Sequence, residues 1–167
     1  MDIHCAISTK TAVYFFVVNH DIGLARITKQ VRKGCKGYDC STTMSVDHAR
    51  KFVRQLQARW VIAPMPGAMP GSGYCHTSVA FTSHHTMMIY QPKCETLYRV
   101  TWYGGESTML RFEKKIAGEW KELSVQTLMY GIPTGIKELY QEMQDVYNYG
   151  ITMEQDTLIG TIFWSLL

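Results

Sequence analysis

The sequence predicts an α+β fold in a single domain spanning residues 1–167, a mostly antiparallel sheet packed on one face against two or three helices. Three observations lead there. Runs of β-branched and aromatic residues recur with short connections, which favours an antiparallel meander. Other stretches carry apolar residues at three- and four-residue steps, the spacing of one helical stripe. A chain of 167 residues, 46% hydrophobic and 19% charged, can also bury a core without a metal or a disulfide.

The run Ala-Val-Tyr-Phe-Phe-Val-Val-Asn at residues 12–19 lacks alternation, which predicts a central strand buried on both sides. Asp21 then suits a helix N-cap, because its carboxylate can accept from free first-turn amides. Leu24, Ile27 and Val31 make one stripe with Arg26, Lys29 and Lys33 on the other side, and Gly34 closes the segment, so a first helix is expected there. Residues 35–43 are polar and turn-rich. Ser45 caps a second helix whose stripe is Ala49, Phe52, Val53, Leu56 and Trp60. Arg50, Lys51 and Arg54 face away from that stripe, Asp47 can pair with Lys51, and Arg59 falls in the last turn.

Three prolines and three glycines in residues 64–73 exclude regular structure and make that loop a candidate subdomain boundary. Strands are predicted at 76–82, 86–90, 96–103, 107–114 and 119–123, with turns at Ser83-His84, Gly104-Gly105 and Gly118. Thr134 caps a last helix with Ile136, Leu139, Tyr140, Met143 and Val146 inward and Gly150 at its end. Residues 157–164 read as either a closing strand or a short helix, with the β-branched content favouring a strand. No internal repeat is visible.

Charge is divided unevenly. Residues 1–63 hold ten Lys and Arg against four Asp, and the rest hold seven against ten acids, which together make the net +3. Nine of the ten cations lie between Arg26 and Arg59. Such clustering makes a field that attracts an anionic partner. The expectation is a small binding or regulatory protein, an inhibitor or modulator, that engages an acidic protein surface or nucleic acid. Its basic helical face would be made by Arg50, Lys51 and Arg54, supported by Arg26, Lys29 and Lys33.

A different chemistry is suggested by Gly37-Tyr38-Asp39-Cys40-Ser41 ahead of a helix, with His76 opening a later strand and Gln91 on the next. This segment resembles the Asp-Cys-Ser nucleophile motif of NlpC/P60-type cell-wall amidases and peptidases, although Thr42 stands where that family usually has glycine. The resemblance implies a cysteine-dependent hydrolase with Cys40 as nucleophile, His76 as base and Gln91 as its orienter.

Cys75, His76, His84, His85 and Cys94 are ligand types that zinc favours, with Cys35 and Cys40 as a further pair. There is no Cys-x-x-Cys spacing, so no metal site is expected. No nucleotide-binding glycine motif occurs either, and no cofactor is expected. The first residues lack a signal-peptide pattern and no apolar run reaches membrane-spanning length, so a cytoplasmic protein with five reduced cysteines and no membrane partner is expected.

Overall fold

A computed structural model describes residues 2–64, 74–75, 79–80, 85–103, 109–127 and 136–148. Nine strands form one sheet in the order β11-β10-β9-β8-β5-β1-β2-β3-β4, and every neighbouring pair is antiparallel. The N-terminal half is the meander β1 (Asp2–Ser8), β2 (Ala12–Asn19), β3 (Leu24–Val31) and β4 (Cys40–Ser45), followed by helix α1 (Val46–Gln55). The strand β5 (Trp60–Pro64) lies between β1 and β8. Among the described residues the short strands β6 (Tyr74–Cys75) and β7 (Val79–Ala80) pair with each other in a separate two-stranded sheet. The C-terminal half repeats the first plan, as β8 (His85–Gln91), β9 (Thr96–Tyr103), β10 (Met109–Ile116) and β11 (Glu119–Thr127) are followed by α2 (Lys137–Asn148).

The two helices take opposite faces. Side chains alternate along a strand, so Cys5 and Ile7 of β1 point one way and Ala6 the other. Cys5 and Ile7 join Phe16, Val18, Ala25 and Ile27 in a core with Val46, Ala49 and Val53 of α1. Ala6 joins Trp60, Ile62, Met87, Ile89, Val100, Leu110 and Phe112 in a second core with Ile136, Leu139 and Met143 at α2. Each four-stranded half therefore has one face covered by its own helix. Val61 and Ile62 of β5 serve the two cores in turn.

This corrects the expected α+β arrangement. The molecule is mainly a nine-stranded antiparallel sheet carrying only two short helices among the described residues, and they do not share a face. The main cause is residues 24–31, expected as a helix and found as β3. Their apolar residues fit a helical stripe, but burial alternates, with Ala25 and Ile27 buried and Leu24 and Arg26 exposed. Asp21 caps no helix. Instead the Asn19 Oδ1 accepts from the amides of Asp21 and Ile22, and Gly23 at φ +67° turns the chain into β3.

Ser45 does cap α1, its hydroxyl accepting from the His48 amide at 3.2 Å. Trp60 and Arg59, expected on that helix, lie beyond it, since α1 stops at Gln55 and Trp60 opens β5. The β10–β11 turn places Ala117 at φ +50° and Gly118 at +82°, the two left-handed positions of a two-residue hairpin. The strand β9 forms at its expected residues, and β8, β10 and β11 start or stop within a few residues of theirs. The expected features at residues 65–73, 83–84, 104–105, 134, 150 and 157–164 lie outside the described residues, as do residues 76–78 and 81–82 of the strand expected at 76–82 and residues 107–108 of the one expected at 107–114. No helix among the described residues is long and apolar enough to cross a membrane.

Candidate functional site: a basic rim and groove at one end of the sheet

The strand directions bring several connections to the same end. The β1–β2 turn (9–11), the β3–β4 loop (32–39), the loop after α1 (56–59) and the β8–β9 turn (92–95) all lie there. Backbone bonds tie them together, from the Arg32 amide to the Thr11 carbonyl at 2.8 Å and from the Arg59 amide to the Ser8 carbonyl at 2.7 Å. This rim carries Lys10, Lys33, Lys36, Arg59 and Lys93, with Arg54 in the last turn of α1, against Asp39, Glu95 and Glu138. Asp39 is engaged in accepting from the Val31 amide at 2.8 Å.

Under the rim lies a buried polar cluster. Glu142 of α2 is 2% exposed, yet it is ionically matched by Arg32 at 2.8 Å and Arg59 at 3.5 Å. Ser8, wholly buried, donates its hydroxyl to Glu142 and accepts from Arg32, while Arg32 Nε donates to the Thr9 carbonyl at 2.9 Å. A buried carboxylate is tolerable only when its lone pairs are met in this way. Arg59 also reaches outward to the exposed Glu138 at 2.7 Å.

Beside this cluster a groove of about 1220 Å³ is bounded by Thr9, Lys10 and Thr11, by the stretch from Gln55 to Trp60, by Gln91, Pro92 and Lys93, and by Glu138 and Tyr14. Trp60, 4% exposed, packs edge-on to Tyr98, with ring centroids 5.9 Å apart, and its buried indole N–H finds no acceptor among the described residues. Tyr14 packs edge-on to Phe52 at 5.4 Å.

The six cations singled out in the sequence do not form one helical face. Arg50, Lys51 and Arg54 are on α1, with Arg50 held by Asp47 at 3.4 Å rather than Asp47 by Lys51. Lys29 is on β3, on the α1 side of the sheet, and Lys33 is in the following loop. Arg26 is exposed on the other face, in register with Val17 and Thr43. The strand conformation of 24–31 separates Arg26 from Lys29, since residues three apart in a strand point to opposite sides. Lys10, Lys36, Arg59 and Lys93 belong to the rim and were missed as a group, because only the pairing order shows which turns share an end.

Of the thiol constellation, Cys40 and Gln91 can be placed, and they lie apart. Cys40 opens the edge strand β4 in exposed extended chain, six residues before α1 begins, so no helix terminus acts on it. Gln91 is five strands away in the sheet, about 24 Å at the usual ~4.8 Å spacing. Its Oε1 accepts from the Cys94 amide at 3.0 Å instead. His76 and His84 lie outside the described residues, and among those described no three metal-ligating side chains gather.

In residues 64–167 the two arginines are in ion pairs, while Lys93, Lys114, Lys115, Lys121 and Lys137 have none among the described residues. Arg99 forks onto Glu113 at 2.7 and 2.9 Å and lies 4.4 Å from the Trp120 ring centroid, and Arg111 meets Glu122 at 3.4 Å. In residues 1–63, seven of the ten cations (Lys10, Arg26, Lys29, Lys33, Lys36, Lys51 and Arg54) have no ion pair among the described residues. Comparison with protein-family models, with curated proteins and with solved structures finds no match to this chain.

Proposed function

We propose that this is a binding protein, a modulator of an anionic partner, whose contact surface is the basic rim together with the adjoining end of α1. The carrying observation is that Lys10, Lys33, Lys36 and Arg54, none of them in an ion pair among the described residues, come together with Lys93 at one end of the sheet. Unneutralised charge on neighbouring loops raises the local potential and speeds encounter with an anion. A cytoplasmic setting and a regulatory role, an inhibitor's for example, belong to the same proposal. The thiol-hydrolase reading is not favoured, because Cys40 and Gln91 are so far apart.

Retention on heparin-agarose, a polyanion, tests it. Wild-type protein is retained at low salt, and the variant Lys33→Glu/Lys36→Glu/Arg54→Glu flows through while circular dichroism shows it folded. Arg26→Glu, on the other face, keeps most of the retention. Elution of the triple variant at the wild-type salt concentration overturns the proposal.

A further inference from the structure

We infer that the groove beside Arg59 takes a short acidic peptide segment, one of whose carboxylates replaces Glu138 on the Arg59 guanidinium. This rests on the anion-binding reading above and names the partner's chemistry. Four observations carry it.

The groove, about 1220 Å³, exceeds the roughly 300–1,000 Å³ of common small-ligand sites and has room for several residues of extended chain. Its charged lining is Lys10, Arg59 and Lys93 against the single Glu138, so it complements a negative segment.

Arg59 is prepared for exchange. Buried Glu142 fixes the guanidinium from below at 3.5 Å, while Glu138, its other partner, is 60% exposed at the side chain. A solvent-exposed pair of that kind contributes little, so an incoming carboxylate can take over the single Arg59 Nη2 contact at small cost.

The aromatic residues argue against nucleic acid. Single strands are held by bases stacking on open aromatic faces. Tyr14 and Trp60, the rings on the groove, are already engaged with Phe52 and Tyr98, and Trp60 is buried.

The test is fluorescence anisotropy on the full-length protein with a labelled octaglutamate peptide, an octaglutamine control and a 12-nucleotide oligothymidylate. The glutamate peptide binds and the glutamine peptide does not. Glu138→Gln, an exposed change that leaves the core alone, tightens peptide binding by roughly two- to fivefold, and Lys10→Glu/Lys93→Glu weakens it by about tenfold or more. Unchanged affinity in Glu138→Gln, or binding of the oligonucleotide in preference to the peptide, overturns the inference. If the heparin result holds while Glu138→Gln is silent, the groove assignment alone fails. If neither heparin nor peptide is bound, both readings fail.

Discussion

The Glu142 carboxylate on α2 lies 2.8 Å from the Arg32 guanidinium, one residue past the end of β3. A helix from the C-terminal half is thereby tied to a loop of the N-terminal half, 110 positions away in the sequence. Ser8 and Arg59 complete the cluster, so removal of Glu142 leaves two guanidinium groups facing a buried hydroxyl.

Glu142→Ala is therefore expected to lower stability by about 3 kcal/mol, the usual cost of breaking one side of a buried pair. Glu142→Gln keeps an acceptor and is expected to cost about half as much. Urea midpoints of the two variants check this, and equal, small effects would show that the cluster is not holding α2 in place.

Glu113 supplies a pH dependence. The Arg99 fork is the main reason its carboxyl titrates below the ordinary range, with burial opposing. A depressed native pKa stabilises the fold above the unfolded value of ~4.3, and that contribution is lost as pH falls through the native value. Wild-type protein should thus lose more stability than Arg99→Leu when pH is lowered from about 5.5 to about 3. Parallel urea curves at the two pH values would show the same loss in both proteins if the fork does not matter.

The cysteines should separate by reactivity. Cys5 is buried, and desolvation pushes its thiol up to about 12, whereas Cys40 and Cys94 are exposed. Iodoacetamide near pH 8 should label Cys40 and Cys94 within minutes and spare Cys5 until urea unfolds the chain, as read by peptide mass spectrometry. The raised native value also means that stability falls as pH climbs above the unfolded thiol range of ~8.5. Labelling of Cys5 in step with Cys40 would show that the α1-side core opens freely.

Local signals were legible where one short-range rule decides. The hydroxyl of Ser45 satisfies a first-turn amide wherever the helix is placed, and Gly118 accepts a positive φ in whatever sheet contains it. The stripe Ile136, Leu139 and Met143 is likewise a property of its own helix, and all three are buried. Residues 24–31 were not decidable in this way. Their apolar spacing fits both periods, and pairing with β2 and β4 along the whole segment settled the matter in favour of strand.

Composition and local pattern alone established an excess of cations in residues 1–63, a helix beginning after Ser45 and a run of antiparallel strands near the C-terminal side of the chain. They could not establish where those cations point. That depends on strand order, which arises from long-range pairing: β5 joining β1 to β8 brings Lys10, Arg59 and Lys93 to one groove although they stand far apart in the chain. The repeated four-strand-and-helix plan is equally invisible in the residues, since it is carried by connectivity and by alternation of the two faces, neither of which requires similar side chains.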